Sequence, residues 1–361
     1  MQRSRLAPEV FRLPVERLRE GYYSDAYFTL TKELLEAEQR HPRVTMQVFQ
    51  RHRALLGGVD EAIALLKQCA GHRSVSGAWV PGFGQLEVRA LYEGDEIEPW
   101  ETVMTIEGDY SVFAHLETVY LGSMARRTLV MKNVREVVEA AAGKQILFFP
   151  ARHDHWLVQT GDGWAAHVAG AIGVSTDAQA SWWGGTGVGT VPHALIAAYG
   201  GDTVAAARAF AGRYAGQMNV TVLVDFENDS VATAVAVAEA LDGELWGVRL
   251  DTSEQLVDEG LRRRLGDDAT PGVNVPLARA VRSALDDAGY PDVRIVASGG
   301  FDAQRIRDFE AEDAPVDAYG VGSSLLRGQN DFTADVVLLD DEPVAKVGRE
   351  FRPNPRLELV V

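Results

Sequence analysis

The chain has 361 residues, enough for one large or two ordinary domains, and its 46% hydrophobic and 24% charged content suits a globular protein with a sizeable core. Fifty-two acidic against 35 basic residues leave a formal charge of -17, which opposes nonspecific attraction to nucleic acid or anionic lipid and confines any phosphate site to a local gathering of arginines or backbone amides. One cysteine, Cys69, excludes an internal disulfide and a thiolate metal cluster, and no stretch approaches the roughly 18 apolar residues of a membrane span.

The start, "MQRSRLAPEVFRLPVERLRE", lacks an apolar signal-peptide centre, so a cytoplasmic protein with no nucleic-acid or membrane partner is expected. "SDAYFTLTKELLEAEQRHP" opens on a Ser-Asp cap signal and has helical spacing; "RVTMQVFQRH" reads as a strand. "GGVDEAIALLKQCAG" is a short amphipathic helix that places Cys69 at a buried position. From "AWVPGFG" to "GDYSVF", alternating strands divided by Gly-Asp and Glu-Pro turns predict a small antiparallel sheet or partly open barrel. The helix-rich "AHLETVYLGSMARRTLVMKNVREVVEAAAG" then leads away from it.

Beyond residue 130 the texture is strand then helix, repeatedly. "QILFFP", a helix through "HDHWLVQTGDGWAAHVAGA", "GTVPHALIAAYG", "DTVAAARAFAGRY", "NVTVLVDF", "DSVATAVAVAEAL", "LWGVRLD", "VPLARAVRSALDDAGY", "VRIVASGG", "DAQRIRDFEAE" and "VDAYGVGSS" follow in order. Short apolar strands alternating with helices predict a parallel sheet with helices outside, and this many units predict a barrel whose site lies at the C-terminal ends of its strands. The fold expected is therefore α/β. A sandwich-like α/β domain spans residues 1–130, an irregular α/β barrel spans 131–330, and the strand-like tail 331–361 packs back on the first domain to complete it.

Polar residues collect where the predicted barrel strands end: Asp225, Glu227 and Asp229; Arg249, Asp251 and Ser253; Ser298, Gly299 and Gly300; Gly320, Gly322 and Ser323. Glycines after two consecutive late strands together suit a phosphate held by backbone amides, although each alone is more often just a turn. Arg249 and Asp251 are two apart and share a face, either as an internal ion pair or as contacts to an anionic or aromatic group and to a ribose hydroxyl or metal. Asp225 could hold a ribose or Mg2+, while Asp229 and Ser230 are better placed to cap the next helix. In "FFPARHDHW" the ring of Phe149 and the guanidinium of Arg152 suit stacking and phosphate binding, whereas His153 and His155 lack a third metal ligand at recognisable spacing. His193, in a Gly-Thr-x-x-His context on a loop bordered by glycines, is a candidate nucleophile toward phosphorus.

These residues and their order resemble the nicotinate phosphoribosyltransferase family of type II phosphoribosyltransferases, from "SDAYF" to "AKVGR", most specifically in "GTVPHAL", "GVRLD" with the Ser after it, "SDAYF" and "GVGSS". The resemblance implies that nicotinate and phosphoribosyl pyrophosphate are joined to give nicotinate mononucleotide and pyrophosphate, with Mg2+ and with ATP as a co-substrate that is hydrolysed, in a homodimer with shared sites. It implies that ATP phosphorylates His193, that Phe149 stacks on the pyridine and that Arg152 contacts phosphoribosyl pyrophosphate. Tyr27 would close the pyridine sandwich across the dimer, Arg249 and Asp251 would lie near substrate and ribose with Ser253 beside them, and Asp225 would contact ribose or Mg2+. Gly320, Gly322 and Ser323 would cradle the 5'-phosphate, next to the phosphate-site candidates Ser298, Gly299 and Gly300. In "GVSTDAQ", Asp177 falls near the pyridine-recognition segment, where a carboxylate would favour an amide over nicotinate or, alternatively, would merely cap a helix.

Three other functions compete. A nicotinamide-specific enzyme is the nearest alternative. Quinolinate phosphoribosyltransferase, whose doubly charged substrate calls for several cations, is opposed by the lysines: Lys32, Lys67, Lys132, Lys144 and Lys346 leave none between 144 and 346, which also opposes a Schiff-base aldolase. A nucleotide-binding regulator without catalysis would leave His193, Asp225, Arg249 and Asp251 without a joint purpose.

Overall fold

The computed structural model describes residues 4–361. The chain divides into two compact units, one running to Lys132 and taking in Gly328–Val361, the other Asn133–Arg327. The expected boundaries lay near 130 and 331.

The first unit is built on a six-stranded antiparallel sheet in the order Glu342–Pro343, Thr333–Leu339, Arg43–Phe49, Thr102–Asp109, Glu87–Ala90, Glu358–Leu359. The tail thus returns as expected: Val48 pairs with Met104 on one side and with Ala334 of the tail on the other. Arg43–Phe49 alternates apolar and polar residues, yet from Val44 onward it is buried on both faces. Val44, Met46 and Val48 enter the apolar core with Leu66, Ile106 and Phe113. On the other face, Gln47 Nε2 donates to Glu350 O at 3.1 Å and its Oε1 accepts from Arg352 N at 3.0 Å, so the buried amide is satisfied by the returning tail. Cys69 ends the helix Val59–Cys69, buried as expected, and burial pushes its thiol up to about 11.

The second unit is the barrel. Its strands are β1 (Gln145–Phe148), β2 (Gly173–Val174), β3 (Val220–Leu223), β4 (Leu245–Leu250), β5 (Arg294–Ala297) and β6 (Ala318–Val321), all parallel, in the order β3-β4-β5-β6-β1-β2. Both faces of such a sheet are covered, so its strands need no alternation, and all four residues of β3 and of β6 are buried. The two edges of the curled sheet are joined by residues 188–191. Val188 N donates to Val174 O at 2.7 Å, Val191 N donates to Thr221 O at 2.8 Å, and Val191 makes a parallel bridge with Val222. Part of the expected glycine loop is therefore a stave of the barrel.

Side-chain caps fix where the outer helices begin. Asp202, Asp229, Asn274 and Asp302 each accept from the backbone N–H three residues on, at 2.8, 3.3, 2.9 and 3.0 Å, opening Thr203–Tyr214, Ser230–Leu241, Val275–Asp287 and Ala303–Ala311. One expected helix is corrected. The stretch 153–171 begins as tight turns, Ala151–His153 and Trp156–Val158, and becomes α-helical only at Gln159–Val168. His155 caps the second of these turns, its Nδ1 accepting from Leu157 N at 3.2 Å. Among the described residues no helix is long and apolar enough to cross a membrane.

A net charge of -17 repels itself in the compact state, and added salt screens that repulsion. The melting temperature is therefore expected to rise steadily as sodium chloride is raised from about 0.05 M to about 1 M, where the screening length falls to about 3 Å. A melting temperature that falls over this range would show that attractive ion pairs outweigh the repulsion.

Candidate active site

A cavity of about 760 Å³ opens at the C-terminal ends of the barrel strands, within the size range of small-molecule sites. Phe149, Arg152 and His153 reach it from the chain after β1, Ser175 and Thr176 from after β2, and Thr190, Pro192 and His193 from the joining segment. Arg249 and Asp251 enter at the end of β4, Ser298, Gly299 and Gly300 after β5, and Gly320, Gly322, Ser323, Ser324 and Arg327 from β6 onward.

Phe149 sits where it does because residue 320 has no side chain. A Cβ on Gly320 would stand 2.8 Å from Phe149 Cε2 and 3.2 Å from Ser298 Cβ. Gly299 and Gly300 have φ of +89° and +72°, a region that side chains disfavour, so the turn after β5 requires them. The Arg249 guanidinium lies 5.1 Å from the centre of the Phe149 ring, donates through Nε to Ser298 Oγ at 2.7 Å and approaches Asp251 Oδ1 at 3.5 Å. Ser298 Oγ is also within 2.8 Å of Asp251 Oδ1. The two readings of Arg249 and Asp251 therefore coincide: they form an ion pair tied by a buried serine, and both still line the cavity.

His193 begins the helix His193–Ala198, directly after the segment that joins the barrel edges. Its Nε2 lies 3.0 Å from Asp225 Oδ1; the histidine side chain is 42% exposed and the aspartate only 6%. Burial raises the Asp225 carboxyl above the ordinary aspartate value, partly opposed by the bond to His193 and reinforced by the nearby charge of Asp251. An ionised carboxylate only accepts, so Nε2 carries the proton and Nδ1 keeps its lone pair. A buried carboxylate orienting an accessible imidazole in this way is the arrangement of an activated nucleophile or base.

Five candidates lie elsewhere. Tyr27 belongs to the first unit, 61% exposed, its hydroxyl 3.3 Å from Asp25 Oδ2. Asp177 is exposed and absent from the cavity wall; Thr176 caps the short helix that follows, and Asp177 Oδ1 accepts instead from Gly187 N at 2.9 Å, pinning the glycine run. Ser253 is exposed and serves its own turn, accepting from Gln255 N at 3.4 Å. Glu227 is exposed too, while Asp229 caps its helix and pairs with Arg263 at 2.6 Å. In exchange the wall holds Ser175, Thr176, Ser324 and Arg327, which strand-end reasoning passed over. The first pair is legible as the polar residues after "GV"; Arg327 arrives by way of the tight turn Ser323–Leu326, which has no period to read.

Asp225, expected near Mg2+, spends one oxygen on His193, and among the described residues no three His, Cys, Asp or Glu side chains gather as a metal cage. The donor set fits a hard cation only if substrate phosphates bring most of its ligands, with Asp251 as the carboxylate in the wall.

A family model described as quinolinate phosphoribosyl transferase, N-terminal domain, matches residues 25–128. Nicotinate phosphoribosyltransferase pncB1 of Mycobacterium tuberculosis is 31% identical over 272 residues, 72% of this chain and 55% of the relative. The chain spans about half the length of the curated relatives it matches. Nicotinate-nucleotide pyrophosphorylase from Pyrococcus furiosus superposes with a TM-score of 0.78 at 30% identity, over 100% of this chain and 86% of that one. Human nicotinic acid phosphoribosyltransferase, at 17% identity and a TM-score of 0.65 over 91% of this chain and 77% of its own, shares the fold.

Gly320→Ala is expected to leave the barrel folded but push the Phe149 ring from its place beside Arg249. An aromatic ligand stacked there should then bind about two- to tenfold more weakly, the worth of one ring contact. Undiminished binding would show that the ring is not part of the ligand's seat.

Proposed function

The chain belongs to the nicotinate phosphoribosyltransferase family of type II phosphoribosyltransferases, and from that membership we propose that it joins nicotinate to phosphoribosyl pyrophosphate, with coupled ATP hydrolysis, in the synthesis of NAD. The observation that carries the reading is the Asp225–His193 pair, whose imidazole lines a cavity that also holds Phe149 and Arg249. Nicotinate stacks on Phe149, and the ribosyl donor lies between Asp251 and the glycines after β5 and β6, with Arg152 on its phosphates. When the bond from the anomeric carbon to pyrophosphate breaks, cationic character develops on the sugar beside the Asp251 carboxylate, and the pyridine nitrogen attacks that carbon. Mg2+ carried in on the phosphates would neutralise the leaving pyrophosphate.

His193 supplies the coupling. Its Nδ1 lone pair attacks the γ-phosphorus of ATP, a P–N bond forms, the bond to ADP breaks, and the positive charge gained by the imidazole is offset by Asp225 through Nε2. The phosphorylated state binds the ribosyl donor differently from the free state, and that difference is what ATP hydrolysis exploits.

The wall favours nicotinate. At the segment where a carboxylate would have repelled it stand the hydroxyls of Ser175 and Thr176, while Asp177 faces away from the cavity. Quinolinate would need further cations, yet the strong bases in the wall are Arg152, Arg249 and Arg327, of which Arg249 is already paired with Asp251. The match to the quinolinate family concerns residues 25–128, outside the barrel. The reading extends to a homodimer: Tyr27 is exposed with Tyr22, Tyr23, Leu30 and Leu34, an apolar surface that association would cover.

The test is an assay for mononucleotide with nicotinate, nicotinamide and quinolinate, each with and without ATP. Nicotinate with ATP is expected to give the product fastest; ligand binding without product would instead make the chain a regulator. His193→Ala should abolish the ATP effect, and full ATP-coupled turnover by that variant would sink the mechanism. Asp225→Asn should lower ATP-coupled turnover about 10²- to 10⁴-fold, the range for losing a positioned acid-base partner. The parent should lose the carboxylate form as pH falls, and because burial raises the Asp225 carboxyl that loss begins at a higher pH than for an exposed aspartate. An acid limb that persists unchanged in Asp225→Asn would assign it to another group.

A further inference from the structure

Two side chains of the cavity wall have no task in the mechanism above, His153 and Arg327. His153 ends the turn Ala151–His153 after β1, and its ring lies against Gly322: a Cβ there would stand 3.0 Å from His153 Cε1 and 3.5 Å from Nδ1. A side chain at 322 would displace the imidazole by a few tenths of an ångström. The same cavity wall also holds Arg152 from the same turn, Arg327 from the turn after β6, and the small residues Gly322, Ser323 and Ser324. Among the described residues, the side chains of Arg152, His153 and Arg327 make no hydrogen bond or ion pair with the protein. In a chain of charge -17, three nitrogen-rich side chains lining one cavity without a carboxylate partner make a locally cationic surface suited to an anion.

We propose that His153, with Arg152 and Arg327, binds the 5'-phosphate of the phosphoribosyl substrate, and that His153 makes this affinity depend on pH. The proposal rests on the phosphoribosyl-transfer reading for the identity of the anion. An arginine keeps its charge at every working pH, whereas an imidazole gains or loses one near neutrality, and a charged donor bonds phosphate about twice as strongly as a neutral one. The sign follows: affinity is highest while His153 is an imidazolium and falls as pH rises and the proton is lost. The other charged or titratable groups around it are Arg152, Asp154 and His155 on its own segment, and Arg327, His193, Arg249 and Asp251 elsewhere on the wall. Of these, His155 and His193 are also imidazoles, so the measurement is repeated in a background carrying His155→Gln and His193→Ala.

The test is calorimetric titration with ribose 5-phosphate, and separately with pyrophosphate, at pH values from about 6 to about 9. For the parent, ribose 5-phosphate is expected to bind about three- to tenfold more tightly at the acid end. His153→Gln should bind as weakly at the acid end as the parent does at the alkaline end, with its slope flattened. His153→Arg should restore tight binding and hold it across the range, which a merely structural role would not do. In turnover, the His153→Gln loss should fall on the KM for the ribosyl donor more than on kcat. A parent-like pH slope in His153→Gln overturns the proposal, as does an effect confined to pyrophosphate. Mononucleotide synthesis together with a His153-independent slope would overturn this inference and leave the function standing. A His153-dependent slope in a protein that makes no mononucleotide would support the seat and overturn the function.

Discussion

The geometry of the site depends on the backbone of residues 188–191, which hydrogen-bonds to Val174 at one edge of the curled sheet and to β3 at the other. A parallel sheet with open edges leaves rows of unpaired N–H and C=O groups, and here one short segment answers both. Because only Pro192 separates it from His193, closing the ring also sets the imidazole against Asp225, which follows β3. The glycines before it serve close approach as much as flexibility: a Cβ on Gly187 would stand 2.8 Å from the backbone of Thr176, and Gly187 N is held by Asp177.

Charge is managed locally against a hostile background. Acidic residues outnumber basic ones by 17, so an anion approaches this chain against its overall field. The cavity answers with Arg152, Arg249 and Arg327, and it spends only one of them on the protein, since Arg249 is bonded to Ser298 and lies near Asp251. That bonding fixes the guanidinium beside the Phe149 ring, joining a cationic and an aromatic surface in one wall. The buried serine matters as much as the charges, because it bridges donor and acceptor that otherwise stand 3.5 Å apart.

Much of this was legible in the sequence, for physical reasons. Strands buried on both faces read as short apolar runs, helix caps read as Asp or Asn before an apolar period, and the tail's return followed from its strand texture. The cavity residues Phe149, Arg152, His193, Arg249, Asp251 and the glycines of β5 and β6 were found because strand ends in a barrel face one side. The misplaced candidates lie three residues beyond a strand end, where the chain turns and period ceases to predict direction. Ser253 and Asp177 fell outside the cavity for that reason, while Ser175, Thr176 and Arg327 fell inside. The joining segment was hidden because a stave rich in glycine has the composition of a loop. The tight turns over residues 151–158, where a helix was expected to begin, are a local arrangement that apolar periodicity does not encode.

The central claim is that Asp225 holds the proton on Nε2 of His193 and leaves Nδ1 to take a phosphoryl group. It is tested most directly by incubating the protein with ATP and locating acid-labile phosphate by mass spectrometry and phosphorus NMR, before and after adding nicotinate and phosphoribosyl pyrophosphate. The account predicts phosphate on Nδ1 of His193, discharged when both substrates are present. Phosphate on Nε2, or none on His193 while mononucleotide is formed with ATP consumption, would contradict it.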